Sequence, residues 1–158
     1  MAKKKKDNDL NDVVQQILKT TDGFLGNRPD IKKPRNVVVV EQRKDDGAIA
    51  VAKISSKQGK EEKIGKNFIP DLVLDPKTHG SLTEDSIVSR QVIVGVKRID
   101  KNGQEFRQSI FPNDMTETGD KLTDEELEKV RKEVHNDDPK HRKSFIEKLR
   151  KWFNHFKE

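Results

Sequence analysis

The stretch that decides the fold is KPRNVVVVEQRKDDGAIAVAKISS, residues 33–56. Its first apolar run, Val37–Val40, consists of β-branched residues, and so short a run between polar residues is typical of a strand that is buried on both faces. The Asp-Asp-Gly sequence at residues 45–47 supplies residue types that tolerate the positive φ angles of a tight turn. A second apolar run, Ile49–Ile54, completes the pattern. The stretch therefore predicts an antiparallel β-hairpin.

Polar side chains lie just outside both predicted strands. If the strands pair about the turn, Arg35 at the start of the first lies beside Ser55 at the end of the second, with Ser56 next to it. A guanidinium beside a hydroxyl on the rim of a sheet suits an anionic ligand such as a phosphate. Simpler roles are open to both residues: Arg35 could pair with a surface carboxylate such as Glu41 or Asp45, and Ser55 could cap a turn.

The composition limits the class of protein. The 158 residues include no cysteine, which excludes disulfides and thiolate sites. No apolar run reaches the length of a membrane span, and no apolar signal-peptide core follows the lysine-rich start, so we expect a cytoplasmic protein. With 30% hydrophobic and 39% charged residues, we expect one small core with polar appendages. The net charge of +5 is compatible with a nucleic-acid partner, although charge runs usually form solvated surfaces.

The chain divides into three parts. Residues 1–30 combine a basic start, a short helix predicted from apolar residues at helical spacing, and a linker rich in glycine and proline. Residues 31–136 hold the core, and residues 139–158 form a separate amphipathic helix. The apolar positions of the first helix are Leu10, Val13, Val14, Ile17 and Leu18.

Further strand patterns follow the hairpin. Phe68–Leu74 predicts a third strand, with Pro70 at its start or on an edge, and Ser86–Ile99 predicts a long fourth strand. Asn102-Gly103 is a strong hairpin signal and leads to a fifth strand that ends before Pro112. Five short strands with long polar loops predict a mainly β fold, either a small, strongly curved barrel or an open sheet.

Two helices follow the strands. A capping box at Thr123–Glu126 indicates the start of the first. The second, over residues 139–158, carries an aromatic stripe flanked by basic residues, and this face is too apolar to leave in water. Three explanations stay open: packing on the barrel or across a dimer, contact with a membrane surface, and docking of a protein partner.

Several core segments, in this order, resemble the MazF/PemK family of toxin endoribonucleases over about residues 33–135. Arg35–Val40 resembles the Arg-Pro of that family followed by an apolar strand, and Val51–Ser55 resembles a strand that ends in Thr or Ser. The remaining matching segments are Leu74-Asp75 with Ser81–Val88, its continuation Gln91-Val92, and a late helix at Leu122–Val130.

The resemblance implies a small SH3-like β-barrel, usually a homodimer, with N-terminal and C-terminal helices added in this chain. It implies a hydrolase that cuts single-stranded RNA without a metal ion or cofactor, as the toxin of a toxin–antitoxin system with an antitoxin protein as partner. In that scheme Arg35 stabilises the charge developing on the scissile phosphate and Ser55 holds the phosphate. The 2′-hydroxyl of the RNA is the nucleophile, and a cyclic phosphate is left. Because a guanidinium does not normally release its proton, Arg35 suits electrostatic stabilisation better than proton transfer.

The chain also departs from the family pattern. Members begin with a strand and an acidic loop, where a helix and a linker are predicted here. Asn36 stands where proline is usual, and Pro34 precedes the arginine, so Lys33 competes with Arg35 for the role of the cation. Ser55 replaces the commoner threonine. The alternative function is therefore a non-catalytic barrel, such as one from a mobile element, that binds nucleic acid or protein.

The remaining candidates concern RNA binding and acid–base chemistry. Lys33, Ser56 and the lysines of a glycine-containing loop could follow an RNA backbone, although a solvated loop explains the loop lysines as well. The loop lysines are Lys57, Lys60, Lys63 and Lys66. His79 titrates in the range of an acid–base catalyst, but it lies in a predicted turn with no second histidine nearby. No spacing of His, Asp and Glu predicts a metal site.

Overall fold

The computed structural model describes residues 13–26, 28 and 30–135 of the chain. The predicted basic start, the first positions of the predicted N-terminal helix and the predicted helix at 139–158 lie outside these residues. The strands are β1 (Gln16–Thr21), β2 (Pro34–Gln42), β3 (Ile49–Ser56), β4 (Ser86–Ile93), β5 (Val96–Ile99), β6 (Glu105–Gln108) and β7 (Thr116–Lys121). The helices are α1 (Asp22–Gly26) and α2 (Asp124–His135), and short 3-10 turns lie at Glu61–Lys63 and Pro112–Asp114.

The strands form two open antiparallel sheets. Five strands pair in the order β4–β3–β2–β1–β7, and β5 pairs with β6 in a separate sheet. The prediction of a mainly β fold with some helix is confirmed, but the described strands do not close into a barrel. The chain leaves the main sheet after β4, at Gly95, and the following strand pairs with β6. The outer strands β4 and β7 therefore each keep an edge that no strand of the described chain closes.

The predicted hairpin at residues 33–56 is confirmed by β2 and β3, which pair antiparallel about a turn that includes Gly47 at φ 83°. Alternate valines of β2 belong to different apolar clusters, Val38 and Val40 to one and Val37 and Val39 to the other. The first cluster includes side chains of α2, and the second includes a side chain of β5. The central strand is thus buried on both faces, as the run of valines predicts.

The predicted N-terminal helix is wrong for its described residues, because residues 16–21 form β1 between β2 and β7. Ile17 and Leu18 are neighbours in the chain, yet they belong to different apolar clusters. A strand buried on both faces places apolar residues at consecutive positions, and over a short stretch this pattern is similar to the spacing of a helix face. Part of the glycine- and proline-rich linker predicted within residues 1–30 forms the short helix α1.

The predicted third strand at Phe68–Leu74 is also wrong. The segment makes single bridges near its two ends, from Phe68 to Ser89 and from Leu74 to Ser86. Between them, Pro70 has no N–H to donate and Asp71 has a positive φ of 59°, so no ladder forms. Four apolar side chains of the segment are nevertheless buried, those of Phe68, Ile69, Leu72 and Leu74, whereas Val73 is exposed.

The later elements follow the sequence more closely. The predicted strand at 86–99 is divided into β4 and β5 by residues 94–95, and Asn102-Gly103 forms the turn of the β5–β6 hairpin with Gly103 at φ 80°. The capping box at the start of α2 is present. The Thr123 N–H donates to Glu126 Oε1 at 2.9 Å, and the Glu126 N–H donates to Thr123 Oγ1 at 3.1 Å.

Candidate functional site

Four strand ends meet at one edge of the main sheet. Thr21 at the end of β1 lies opposite Pro34 at the start of β2, and Ser56 at the end of β3 lies opposite Ser86 at the start of β4. Antiparallel pairing therefore places residues that are far apart in the chain on a common rim. Arg35 and Ser55, the predicted pair, lie on this rim.

Arg35 and Ser55 are in contact on the rim. The Nη1 group of Arg35 donates to Ser55 Oγ at 3.0 Å and to the Ile54 carbonyl oxygen at 3.2 Å. The Arg35 side chain is only 19% exposed, so the guanidinium is held at the surface rather than extended into water. The predicted convergence of this cation and this hydroxyl is observed.

Asp22 holds the other side of the Arg35 guanidinium. Nε donates to Asp22 Oδ1 at 2.7 Å and Nη2 donates to Oδ2 at 3.2 Å. The hydrogen bond from Arg35 keeps the pKa of Asp22 below its ordinary value, and the charges of Lys53 and Lys33 act in the same direction. A two-point contact of this kind fixes the plane of the guanidinium and directs Nη1 toward Ser55.

The predicted alternative partners of Arg35 are not the ones observed. Glu41 instead pairs with Arg131 at 3.1 Å, across the sheet from the rim. The residue that pairs with Arg35 is Asp22, the first residue of α1. Helix α1 packs closely against the chain that follows it, because a Cβ at Gly23 would collide with the carbonyl oxygens of Arg28 and Ile31.

A cleft of about 330 Å³ opens beside Arg35 and Ser55. Lys33, Ser56 and Lys60 line it together with that pair, so the structure brings these predicted residues to one place. Lys57, Lys63 and Lys66 do not line the cleft. One wall of the cleft comes from the loop before β4 and consists of Leu82, Thr83 and Glu84.

Two features of the cleft were not predicted. Glu84 adds an acidic residue to the lining of a cleft that is otherwise rich in cationic and hydroxyl-bearing residues. Asn36 also lines the cleft, and its buried Oδ1 has no hydrogen-bond partner among the described residues. A buried acceptor without a partner costs about 1–3 kcal/mol.

His79 lies apart from the cleft and is 1% exposed. Its Nδ1 is 3.0 Å from Asp120 Oδ1, and its Nε2 is 3.0 Å from Glu126 Oε1. Asp120 also accepts a hydrogen bond from Ser81 Oγ at 2.6 Å. A buried ring enclosed in this way cannot reach a substrate, so direct acid–base catalysis by His79 does not fit the geometry.

The carboxylates of this cluster face opposite nitrogens of the ring, so they do not converge on one metal position. Across residues 13–26, 28 and 30–135, no grouping of His, Asp and Glu side chains is arranged to hold a metal ion. In the same part of the chain, helices are too short or too polar to pass through a bilayer.

A search against models of known protein families found no match to this sequence, and a search against curated proteins found none either.

Proposed function

We propose that this chain is a toxin-type endoribonuclease, similar to the MazF/PemK family, that cleaves single-stranded RNA without a metal ion. The observation that carries the proposal is the 3.0 Å contact between Arg35 Nη1 and Ser55 Oγ inside a cleft that Lys33 and Lys60 also line. A phosphodiester is the ligand whose charge and acceptor oxygens match this set of donors.

The proposed reaction uses a nucleophile from the substrate. The 2′-hydroxyl oxygen attacks phosphorus while its proton passes to a base, and the bond from phosphorus to the 5′ oxygen of the next nucleotide breaks. The departing 5′ oxygen takes a proton from solvent, so a 2′,3′-cyclic phosphate and a 5′-hydroxyl result. Negative charge builds on the non-bridging oxygens in the transition state. Arg35 stabilises that charge while Ser55 holds the phosphate in place, and a preorganised donor of this kind contributes about 10²–10³-fold in rate.

The proton of the 2′-hydroxyl needs an acceptor, and Arg35 does not supply one because a guanidinium stays protonated. Asp22 is a poor acceptor, since its carboxylate is bound to Arg35 and its pKa is lowered by that hydrogen bond. We assign the role to Glu84, an acidic residue of the cleft lining. Asp22 then orients Arg35 rather than exchanging protons.

The fold supports the proposal through the order of its elements. A strand, β1, precedes the arginine, as it does in members of the family, while the short helix α1, which begins with Asp22, stands where the family has an acidic loop. The hairpin of β2 and β3 and the late helix α2 follow in the family's order. On this proposal the five-stranded sheet is an opened relative of the SH3-like barrel. The partners are single-stranded RNA, an antitoxin protein and a second copy of the chain, and the site of action is the cytoplasm.

One observation favours the alternative of a non-catalytic barrel that binds nucleic acid or protein. The bidentate contact with Asp22 offsets the positive charge of Arg35 before any ligand arrives. A protein that only binds the backbone of a nucleic acid depends more on the lysines of the cleft than on Arg35.

The test is cleavage of a random single-stranded RNA pool by the purified chain in EDTA, with the ends analysed for cyclic phosphate. We expect cleavage by the wild type and by the control Lys97→Ala, an exposed lysine on β5. We expect loss of at least 10²-fold for Arg35→Ala and for Ser55→Ala. RNA binding without cleavage by the wild type would support the alternative, and growth arrest that persists with Arg35→Ala would count against the enzyme. If Lys33→Ala alone abolishes cleavage, Lys33 is the working cation.

A further inference from the structure

The buried His79 links three elements that are distant in the chain. It lies in the segment between residues 75 and 85, Asp120 lies on β7, and Glu126 lies on α2. The contacts with these carboxylates are both 3.0 Å, and the His79 side chain is 2% exposed. The ring is therefore enclosed by acceptors on both sides.

This enclosure decides the protonation state of the ring. An ionised carboxylate can only accept hydrogen bonds, so both ring nitrogens must carry hydrogen to satisfy Asp120 and Glu126. A third carboxylate, Asp75 on the same turn as His79, is close enough to interact with its charge. Burial lowers the pKa of His79, but the hydrogen bond that the ring donates to Asp120 and the charge of Glu126 outweigh burial and hold the pKa above its ordinary 6.5. The pKa of Asp120 is correspondingly lowered by its hydrogen bonds with Ser81 and His79, against the effect of burial.

The histidine is attached directly to one wall of the cleft. The Leu82 N–H donates to the His79 carbonyl oxygen at 3.0 Å, and the Ser81 N–H donates to Asp120 Oδ2 at 3.2 Å. Leu82, Thr83 and Glu84 then form one wall of the cleft that Arg35 and Ser55 also line. This segment carries no strand or helix of its own, so its position depends on contacts of this kind and on Leu82, which is buried in the first apolar cluster.

We propose that His79 is a positioning residue, a buried imidazolium that fastens the 80–84 wall of the cleft to β7 and α2 while it carries both protons. The inference rests on the proposed function only in that the cleft is taken as the RNA-binding site. Loss of one proton leaves a ring nitrogen facing a carboxylate with no hydrogen between them. The wall is then released from α2 or from β7.

The direction of the pH dependence follows from the raised pKa. A group whose folded pKa is raised contributes its full stabilisation below the unfolded value and loses it as the pH rises through the folded pKa. The wall should therefore be held most firmly below about pH 6.5 and released progressively as the pH rises from there through the folded pKa, with the opening equilibrium rising up to about tenfold per pH unit across the interval between the two pKa values.

The experiment is NMR on the full chain without RNA. The ring 15N shifts of His79 give its protonation and pKa, and hydrogen exchange of the Ser81 and Leu82 amides, corrected for intrinsic rates, gives the opening of the wall. Amides of β2 report global unfolding in the same samples. The test variant is Glu126→Gln, because glutamine removes the charge and still completes the capping box with Thr123. The matched control is Glu125→Gln, which makes the same charge change at an exposed position one residue earlier.

In the wild type and in Glu125→Gln, we expect two protonated ring nitrogens at pH 6 and opening of the wall that rises with the titration of His79. In Glu126→Gln, the pKa of His79 should fall and the opening should shift to lower pH by the same amount. A neutral His79 ring at pH 6 in the wild type would overturn the inference. It would also be overturned if hydrogen exchange of the wall did not change with the titration of His79, or if Glu126→Gln had the same His79 pKa and the same exchange rates as Glu125→Gln. None of these readouts uses RNA. If the expected titration is observed and the chain does not cleave RNA, the proposed function is wrong and this inference stands.

Discussion

Asp22 accepts two hydrogen bonds from Arg35, at 2.7 Å from Nε and 3.2 Å from Nη2, while Nη1 of the same guanidinium donates to Ser55. The carboxylate thus fixes the orientation of the cation and also offsets part of its charge. These effects oppose one another for a phosphate ligand: orientation favours the transition state, and charge compensation weakens the binding of the ground state. Substitution of Asp22 separates the effect on orientation from the effect on charge.

Asp22→Asn should lower the rate of RNA cleavage by about 10- to 100-fold, because a displaced guanidinium no longer meets the developing charge. RNA affinity should be unchanged or higher, since a competing negative charge has been removed. Single-turnover cleavage together with a filter-binding assay measures both quantities. Asp30→Asn is the control, because Asp30 is an exposed acid that pairs with Arg28 away from the cleft. Wild-type cleavage rates in Asp22→Asn would show that the ion pair does not position Arg35.

The Asp22–Arg35 pair should also appear in the acid stability of the protein. The pKa of Asp22 is lowered, so its contribution to the free energy of unfolding is present above the ordinary value of 3.8 and is lost as the pH falls through the folded pKa. We expect Asp22→Asn to be less stable than the wild type by about 1 kcal/mol at neutral pH. Urea unfolding at a series of pH values should show this difference vanishing in acid. A difference that stays constant at every pH would contradict the account.

Gly23→Ala should destabilise the α1 turn that presents Asp22. An added Cβ would collide with the backbone carbonyl oxygens of Arg28 and Ile31, and backbone cannot move aside as a side chain can. We expect a loss of about 1–3 kcal/mol in urea unfolding, the usual cost of overpacking. Gly26→Ala provides the matched control in the same helix, since a Cβ there meets nothing within 4 Å. Equal stability of the two variants would show that the close packing of Gly23 is not needed.

Glu84→Gln should lower cleavage by about 10²-fold or more if Glu84 takes the proton of the 2′-hydroxyl. The acidic limb of the pH–rate profile should be lost at the same time, because that limb reports ionisation of the acceptor. Glu62→Gln, at an exposed position in the preceding loop, is the comparison. If the rate falls in Glu84→Gln and the profile keeps its shape, Glu84 has another role in the cleft.

The sequence predicts local features of this fold well and distant pairings poorly. The β2–β3 hairpin depends on a run of valines and a turn sequence that lie close together, and both signals are visible without the structure. β7 has the polar sequence TETGDK and forms a strand through its pairing with β1, roughly a hundred residues earlier. Propensity within a short window cannot detect such a pairing.

The candidate site shows the same division. The hairpin alone places Arg35 beside Ser55, so that pair can be predicted from the sequence. Asp22 reaches Arg35 through the register of β1 on β2, and β1 has the apolar spacing of a helix. The partners of His79 lie 41 and 47 positions later in the chain, and only the packing of β7 and α2 brings them to the ring.

The central claim is that Arg35 and Ser55 act together on one phosphodiester. A double-mutant cycle on kcat/KM for cleavage of a defined single-stranded RNA in EDTA, using Arg35→Ala, Ser55→Ala and the double variant, tests this claim most directly. We expect a large loss of kcat/KM in each single variant. The double variant should have nearly the same kcat/KM as the less active single variant, because either substitution removes the same contact. Losses that simply add in free energy, or single variants that cleave like the wild type, would contradict the claim.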